Sequence, residues 1–356
     1  MVDKLKVAVL GATGLVGQRF IQLLCKHPWF EIDYIAASQA SVGKRYKDSV
    51  TWLIETPLPE SIGNLTVQSA EPETIPKNID IVFSALPSTV AKQIELSLAK
   101  RGFTVVSNSS PLRLEPDIPL INPEVNWDHL ELIKVQKKKR GWKGVIIKNP
   151  NCTTAILTLS LKPLLEGFGL RKVIVTTLQA VSGAGLRGVP SILIIDNIIP
   201  FIKSEEEKVE NESKKILGKL EDNSVKCASI SISATTTRVP VIDGHLEVVH
   251  VELLEEASID AIADTLKMFK SKPQELLLPT APQKPIIVRF EEDRPQPRLD
   301  RLEGKGMSVV VGRISKATKI GEKWVKYVVL GHNTIRGAAG AAVLIAELYV
   351  KLEGIV

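Results

Sequence analysis

A glycine-rich loop between an apolar run and a helical segment constrains the fold of this chain more than any other feature. Residues 6–10 (KVAVL) are apolar, glycines follow at positions 11, 14 and 17, and helical spacing runs from Gln18 to Cys25. Such a loop lets the backbone approach a pyrophosphate, which then lies against the helix N-terminus. We therefore predict a dinucleotide site whose loop contacts are Gly11, Thr13, Gly14, Leu15 and Val16.

Glycine spacing by itself leaves a second explanation open. The pattern is GxxGxxG rather than GxGxxG, and tight turns also use glycine for steric reasons alone. The alternation continues with a strand over residues 79–85, a helix over 88–100 and a strand over 103–107. We therefore predict an α/β fold that begins with a Rossmann-like, doubly wound parallel sheet. With 356 residues the chain exceeds what one core usually serves, so we expect two domains.

The end of the second predicted strand, residues 31–37, bears on the choice of cofactor. An acid at this point would bind the ribose hydroxyls of NAD, but Asp33 lies too early in the strand. Ser38, Ser41 and Lys44 follow instead, and hydroxyls with a cation suit a 2′-phosphate. This pattern predicts NADP rather than NAD, the alternative being an ordinary polar surface loop.

Polar residues also follow the next two predicted strands. Ser84 and Leu86 come after one strand and Asn108 after the other, so they are expected to line the crevice above the sheet. Arg113 follows shortly afterwards. A loop arginine is usually a surface charge, but beside an anion site it can bind a phosphate.

Cys152 lies where the apolar run 145–147 stops and a new helical pattern begins near Thr153. The unpaired N–H groups and dipole of a helix start lower a thiol pKa from about 8.5. We therefore predict an activated nucleophile. The alternative is a buried, inert cysteine, which is the usual fate of a free Cys.

Beyond Cys152 longer strands predict an α+β catalytic half with a mainly antiparallel sheet and helices over residues 190–199 and 204–217. Gln179 ends one strand and precedes a loop that contains Ser182 and Gly183. A turn predicted at residues 243–244 would bring Arg238 and His245 together from adjacent strands. Arginine suits a carboxylate, and histidine can take a proton from a thiol or relay one to a leaving group.

Composition excludes several classes of protein. Hydrophobic content of 44%, charged content of 24% and a net charge of +6 are ordinary for a globular enzyme, so we expect neither a nucleic-acid partner nor a membrane span. The basic run 137–140 is interpreted as the solvated end of a helix. Three cysteines without CxxC spacing, and a start that runs directly into a strand, favour a cytoplasmic protein without a metal site.

Taken in order, eight segments closely resemble the aspartate-semialdehyde dehydrogenases, particularly their archaeal and fungal branch. They are GATGLVG (11–17), SNSSPLR (107–113), PNCTT (150–154), LQAVSGAG (178–185), EEEK (205–208), RVPVIDGH (238–245), RPQPRLDR (294–301) and HNTIRGAAG (332–340). The resemblance implies an NADP-binding domain over residues 1–151, a catalytic and dimerisation domain over 152–332, and a C-terminal helix over 333–356 that packs back onto the first domain. It also implies a homodimer or homotetramer.

The same resemblance assigns roles to residues. Cys152 would be the nucleophile and His245 the general acid and base. Gln179 would orient the substrate, and Asn151 would help to stabilise the oxyanion. Arg238 would bind the substrate α-carboxylate, Glu205 its amino group, and Arg113, Asn108 and Lys208 the phosphate. Further cofactor contacts are implied for Ser182, Gly183, Asn333 and Thr334.

Two alternatives remain open at this point. Malonyl-CoA reductases of some archaea resemble the same branch and reduce a thioester, although Asn151, Glu205 and Lys208 favour an amino-acid phosphate. From another class, a catalytically silent NADP-binding regulator would need none of Cys152, Gln179, Arg238 and His245. A malonyl-CoA reductase would reduce a thioester and a regulator would catalyse no reaction, whereas an aspartate-semialdehyde dehydrogenase would reduce β-aspartyl phosphate to aspartate semialdehyde.

Overall fold

The first half of the molecule is built on a six-stranded parallel sheet. In the computed structural model, which describes residues 4–356, the strands pair in the order β3-β2-β1-β4-β5-β6. Their bounds are β1 Leu5–Leu10, β2 Phe30–Ala37, β3 Gln68–Ser69, β4 Ile81–Ser84, β5 Thr104–Ser107 and β6 Val145–Lys148. The strand order reverses between β1 and β4, and this switch point opens a crevice at the carboxyl ends of the strands. The predicted doubly wound sheet is confirmed.

Helices cover both faces of this sheet because successive strand side chains point to opposite sides. The helices are α1 Leu15–Leu24, α2 Tyr46–Ser49, α3 Glu60–Gly63, α4 Ser88–Lys100 and α5 Leu132–Arg140. Val7 and Val9 of β1 join the apolar cluster that includes α1, whereas Ala8 and Leu10 join the cluster that includes α4. The glycine loop therefore lies between two packed layers that hold it in place.

A buried ion pair lies at the carboxyl end of the parallel strands. The Lys148 ammonium contacts Glu95 Oε2 at 2.8 Å and Ser107 Oγ at 2.7 Å, and both charged side chains are fully buried. Glu95 Oε1 also accepts hydrogen bonds from Ser84 and Ser107. The ends of β4, β5 and β6 are thereby joined to the middle of α4 under the crevice.

The second half contains a mixed sheet in the order β10-β7-β11-β14-β13-β12 and a separate hairpin, β8-β9. Bounds are β7 Leu170–Gln179, β8 Lys219–Glu221, β9 Ser224–Lys226, β10 Ser231–Arg238, β11 His245–Leu253, β12 Ile286–Val288, β13 Val309–Lys316 and β14 Trp324–Gly331. The three central pairs, β7-β11, β11-β14 and β13-β14, are antiparallel, whereas β10 and β12 add parallel edges.

One expectation about this sheet is wrong. Arg238 ends β10 and His245 begins β11, but these strands are not adjacent, because β7 lies between them and pairs with both. The connection over residues 239–244 crosses the end of β7, where Val239 N–H donates to Gln179 O at 3.0 Å. The short turn suggested a hairpin, but the non-local pairing of β7 prevents one.

Three helices pack against one face of the mixed sheet. The second half contains α6 Cys152–Phe168, α7 Ser191–Ile194, α8 Glu205–Ile216, α9 Ile259–Met268, α10 Lys272–Glu275, α11 Pro297–Asp300 and α12 Gly340–Leu352. Of these, α6, α8 and α9 bury the sheet's apolar residues. The opposite face is more open, with Ile174 46% exposed. The helix expected over 190–199 is shorter than predicted, since α7 ends at Ile194.

The C-terminal segment returns to the parallel sheet. A π-helical turn, Ile335–Ala339, leads into α12, which packs against Phe20, Ile21 and Leu24 of α1. Both the first and the last parts of the chain therefore support the same crevice. Among residues 4–356 no helix is long and apolar enough to cross a membrane.

We predict that Glu95→Ala lowers the free energy of unfolding by about 3–5 kcal/mol, because it leaves the buried Lys148 ammonium without its counter-charge. Urea denaturation followed by circular dichroism measures this change. The exposed Glu73 provides a control, since Glu73→Ala should change stability by no more than about 0.5 kcal/mol. A loss below about 1 kcal/mol for Glu95→Ala would contradict the assigned role of the pair.

Candidate active site

Cys152 is the first residue of α6 and lies at the junction of the two sheets. The Asn151 side chain caps the helix, its Oδ1 accepting from the N–H groups of Thr153 at 3.0 Å and Thr154 at 3.1 Å. The π-helical turn packs directly on the cysteine: a Cβ added to Gly337 would lie 2.6 Å from the Cβ of Cys152. Glycine at 337 is therefore required for this approach.

His245 faces the cysteine despite the intervening strand. Its Nε2 lies 3.3 Å from Cys152 Sγ, while its Nδ1 accepts the backbone N–H of Ala180 at 3.1 Å. Because Nδ1 uses its lone pair on that N–H, the ring proton of the neutral histidine is on Nε2 and points at the sulfur. Arg238 is held by the same residue, its NH1 donating to Ala180 O at 2.7 Å. The residue after β7 therefore anchors both side chains.

Burial opposes the ionisation of this pair. It raises the pKa of the Cys152 thiol to about 12, with a further increase from the Glu205 charge, and these effects exceed the lowering by Arg238, the Thr153 N–H and Arg113. Burial, reinforced by the positive charge of Arg238, holds the pKa of His245 well below its usual range. The prediction of a lowered cysteine pKa is therefore wrong for the free protein: the helix start is present, but desolvation outweighs it.

A cleft of about 630 Å³ opens beside Cys152 between the two sheets. Of the residues predicted to form the site, thirteen lie in its wall: Val16, Leu86, Asn108, Arg113, Asn151, Cys152, Ser182, Gly183, Glu205, Lys208, Arg238, Asn333 and Thr334. Lys203 adds a fourth cation to Arg113, Lys208 and Arg238, against the single acid Glu205. The cleft therefore favours ligands with more than one negative charge.

The acidic group in the cleft is tied to the nucleophile's helix. Glu205 begins α8 and is 7% exposed, and its Oε1 accepts from Asn151 Nδ2 at 2.7 Å. Its Oε2 lies 3.5 Å from Lys208 Nζ. Because both polar ends of the Asn151 side chain have partners, Asn151 serves here as a cap and a link rather than as an oxyanion donor.

Arg113 and Asn108 lie next to each other in the wall of the cleft. Arg113 NH2 donates to Asn108 O at 2.6 Å, and NH1 donates to Glu212 at 2.9 Å. Within residues 4–356, Asn108 Nδ2 and Arg113 Nε are buried without a hydrogen-bond partner. Buried unpaired donors cost free energy, so these two atoms are candidates to donate to an anionic ligand in the cleft.

At the cofactor end the glycine loop has the geometry that its sequence predicts. Gly11 has φ +78°, and a Cβ there would lie 2.6 Å from Ala85 O. Gly14 caps α1 without a side-chain bond, which leaves the N–H groups of the first turn for a ligand. Asn333 joins this end to the catalytic half, since its Nδ2 donates to Ser182 Oγ and its Oδ1 accepts from Gly244 N–H.

The loop after β2 presents Ser38, Ser41 and Lys44 at the surface. Asp33 points elsewhere, with its carboxylate 3.5 Å from Lys6 Nζ. The carboxyl end of β2 is thus followed by hydroxyls and a cation, as the sequence indicated, and Asp33 is paired with Lys6 away from this loop.

Two predicted contacts are not placed as expected. Ser84 is fully buried and its Oγ donates to Glu95, so its side chain lies under the crevice rather than in it. Gln179 is 1% exposed, its Nε2 donates to Thr177 Oγ1 at 3.3 Å, and it is not part of the wall formed by the described residues. Ser84 bonds to a residue of α4 and Gln179 to a residue of its own strand, which strand position alone does not reveal.

Sequence reasoning missed several residues that shape the site. Lys203 precedes α8 and could have been found as a cation close to Glu205. Glu212 is one of several acids in α8, so its residue type alone does not distinguish it. Ala180 acts through its backbone and Gly337 through its lack of a side chain, so neither carries a chemical signal.

A group with metal-ligand chemistry lies outside the cleft. Ligand atoms of Glu55, Asp243 and His332 lie within 4.8 Å of one another. The Arg19 guanidinium pairs with both carboxylates, at 2.5 Å and 3.6 Å. The positive charge of Arg19 already neutralises these acids, so we interpret the group as an ion-pair cluster.

We predict that alkylation of Cys152 in the free protein accelerates about tenfold per pH unit between pH 7 and 9 without a plateau, because the thiolate is the reactive form and the thiol pKa lies near 12. The measurement is the rate of iodoacetamide labelling in a Cys25→Ala, Cys227→Ala background. Free cysteine, which levels off above its pKa of about 8.5, is the control. A plateau below pH 8 would show a preformed thiolate and overturn this assignment.

Comparison with known proteins places this geometry in a family. Residues 6–133 match the model "Semialdehyde dehydrogenase, NAD binding domain", and residues 161–336 match "Semialdehyde dehydrogenase, dimerisation domain". The aspartate-semialdehyde dehydrogenase of Archaeoglobus fulgidus is 53% identical over 97% of this chain and 98% of its own. The malonyl CoA reductase (NADP) of Metallosphaera sedula is 40% identical over 98% and 97%.

Solved structures agree with the sequence matches. The crystal structure of aspartate semialdehyde dehydrogenase with NADP from Candida albicans superposes with a TM-score of 0.89 at 42% identity, covering 99% of both chains. The enzyme II structure from Vibrio cholerae gives 0.79 at 28% identity, covering 98% of this chain and 99% of that one. This chain belongs to the aspartate-semialdehyde dehydrogenase family.

Proposed function

We propose that the protein converts β-aspartyl phosphate to aspartate semialdehyde with NADPH, through a thioester on Cys152. The observation that carries this proposal is the placement of Cys152 Sγ 3.3 Å from His245 Nε2, at the edge of a cleft whose cations outnumber its acids. A binding module would not need a nucleophile and a hydrogen-bond donor so aligned. The reaction supplies a precursor for biosynthesis of lysine, threonine and methionine.

Recognition of the amino-acid end rests on opposite charges in one wall. The Arg238 guanidinium binds the substrate α-carboxylate, since its planar fork suits two oxygens. The Glu205 carboxylate binds the α-ammonium group. Malonyl-CoA has a carboxylate but no amine, so Glu205 distinguishes the two substrates.

Recognition of phosphate rests on the unpaired donors described above. Arg113 Nε and Asn108 Nδ2 donate to phosphate oxygens, and Lys208 adds a point charge. Lys203, which also lines the cleft, contributes to the same field. A dianion entering this wall gains partners that the buried donors otherwise lack.

The residues at the first sheet fit NADP. Its pyrophosphate is held by Gly11, Thr13, Gly14, Leu15 and Val16 at the start of α1, and its 2′-phosphate by Ser38, Ser41 and Lys44. Ser182, Gly183, Asn333, Thr334 and Leu86 line the cleft and would contact the nicotinamide half of the cofactor. When bound as NADPH, the cofactor supplies the hydride that reduces the thioester.

The high pKa of Cys152 fits the proton balance of the first half-reaction. The sulfur attacks the acyl carbon, the C–O bond to phosphate breaks, and the thiol proton leaves with the phosphate as HPO₄²⁻. His245 Nε2–H donates to the oxyanion that forms on the acyl oxygen. A neutral donor is sufficient for this role, and His245 is held neutral by its burial.

The second half-reaction releases the aldehyde. After reduction the tetrahedral oxyanion collapses, the C–S bond breaks, and Cys152 leaves as a thiolate. Its pKa of about 12 means that it takes a proton from solvent and returns to the resting thiol. In this scheme His245 stabilises charge through its Nε2–H, whereas Gln179 supports the strand end from which Ala180 holds the histidine.

The division of labour between domains is also a proposal. Residues 1–151 hold the cofactor, 152–332 form the catalytic and dimerisation domain, and 333–356 complete the first domain through α12. The open sheet face around Ile174 suits a second copy of the chain, giving a homodimer or a homotetramer. Sedimentation equilibrium tests this: a monomer at micromolar concentration would exclude it.

Free thiols at Cys25, Cys152 and Cys227 suit a reducing cytoplasm.

We predict that Glu205→Gln raises the KM for aspartate semialdehyde about 10- to 100-fold, because a hydrogen bond to a charged group is lost while the bond to Asn151 is kept. NADPH absorbance with aspartate semialdehyde, phosphate and NADP measures it. Glu206→Gln, one residue along α8, is the matched control. If the unmodified protein reduces malonyl-CoA faster than it turns over aspartate semialdehyde, the thioester substrate takes the place of the amino-acid phosphate.

We predict a preference for NADP over NAD that Ser38→Asp reverses, because a carboxylate repels the 2′-phosphate and binds the ribose hydroxyls. The ratio of kcat/KM for the two cofactors is the measurement. Ser61→Asp on α3 adds the same charge outside this loop and should leave the ratio unchanged. Equal efficiency with both cofactors in the unmodified protein would refute the assignment.

A further inference from the structure

Helix α8 carries a buried acid that the proposed chemistry does not use. Glu212 is 2% exposed, and its two carboxylate oxygens accept hydrogen bonds from different parts of the molecule. Oε1 accepts from Arg113 NH1 at 2.9 Å, and Oε2 accepts from the backbone N–H of Asn151 at 2.7 Å. One carboxylate therefore joins the anion-binding arginine to the residue immediately before the nucleophile.

Neighbouring acids of the same helix have a different function. Glu206 Oε1 accepts from the N–H of Thr236 at 2.9 Å, and Glu210 Oε1 accepts from the N–H of Ala234 at 3.0 Å. Both bonds satisfy the edge strand β10 and leave the cleft untouched. Glu212 is thus distinguished by its partners rather than by its charge.

The two partners of Glu212 must keep a fixed spacing for acyl transfer. Asn151 caps α6 and so sets where Cys152 lies, whereas Arg113 lines the cleft on the phosphate side. Arg113 lies on the loop after β5 and Asn151 on the short loop between β6 and α6, so the two residues belong to separate segments of the chain. Arg113 is also bonded to Asn108 O and Asn151 to Glu205, but Glu212 bonds to both residues and so fixes the distance between them.

We propose that Glu212 is a positioning residue that holds the phosphate-binding guanidinium of Arg113 in register with the Cys152 nucleophile. This inference rests on the proposed function. Removing the carboxylate would have two opposite effects on the affinity for phosphate. Loss of its negative charge beside Arg113 would strengthen phosphate binding, whereas loss of its two acceptors would misplace Arg113 and weaken it. Positioning predicts the second result.

Glu212→Gln is the informative substitution because it keeps the size of the side chain. An amide offers one acceptor oxygen and an NH₂ group, so one of the two donors would face another donor. We expect the KM for phosphate to rise about tenfold or more, with a fall in kcat, as when a hydrogen bond to a charged group is lost. The KM for NADP should stay within about twofold. Glu210→Gln, on the same helix, is the matched control and should change neither.

A second readout does not depend on turnover. Inorganic phosphate should protect Cys152 from iodoacetamide in the unmodified protein, and in Glu212→Gln protection should need about tenfold more phosphate. If the unmodified protein is protected but turns over no aspartate semialdehyde, the proposed function fails while the role of Glu212 is still measured.

Glu212→Asp provides the conservative variant, with both acceptors and the charge retained on a side chain one methylene shorter. It should recover part of the phosphate affinity lost in Glu212→Gln. Unchanged or tighter phosphate binding in Glu212→Gln would overturn the proposal. Unfolding of both variants while Glu210→Gln stays folded would assign Glu212 to stability instead and overturn it equally.

Discussion

The site depends on one junction, where the last parallel strand passes into α6. Asn149 N–H donates to Ser107 O at 2.8 Å, and Asn149 Nδ2 bonds to Asn108 Oδ1 at 2.8 Å and to Gly337 O at 3.3 Å. Asn151 then caps the helix that Cys152 begins. Cofactor sheet, anion loop and C-terminal segment all meet within these few residues. A displacement here would move the nucleophile relative to every other group that it needs.

Burial and charge act in opposite directions at this junction. Desolvation keeps the thiol protonated although a helix start and two arginines face it, and the same desolvation keeps His245 neutral. A protonated thiol is less easily oxidised or alkylated than a thiolate. In the free protein the proposed nucleophile is therefore in its less reactive form, and the proposed chemistry depends on a substrate whose leaving group can take the proton.

Much of this arrangement could be predicted from local sequence. The glycine loop, the α4 helix and the start of α6 at Cys152 all follow from patterns within about ten residues. The family resemblance predicted that Arg238, Glu205 and Lys208 lie in the same site. These features depend on near neighbours, so a short stretch of chain carries the information.

The sequence predictions that were wrong concern features that depend on residues far apart in the chain. The insertion of β7 between β10 and β11 is a non-local pairing, and it changes how Arg238 and His245 reach the cysteine. The sign of the Cys152 pKa shift depends on how much protein surrounds the sulfur. Ser84 lies under the crevice because its Oγ donates a hydrogen bond to Glu95, eleven residues away. Sequence spacing does not carry any of this information.

The acids of α8 also affect how the protein behaves in a crowded solution. An edge strand with free N–H groups can pair with another chain and begin aggregation. On β10 the N–H groups of Ala234 and Thr236 are already bonded to Glu210 and Glu206, and the N–H of Arg238 bonds to Ile199 O. An incoming strand would have to displace charged acceptors to add to this sheet. Other copies are thus directed away from the strand edge, and the eight-residue β10 stays a boundary rather than a template.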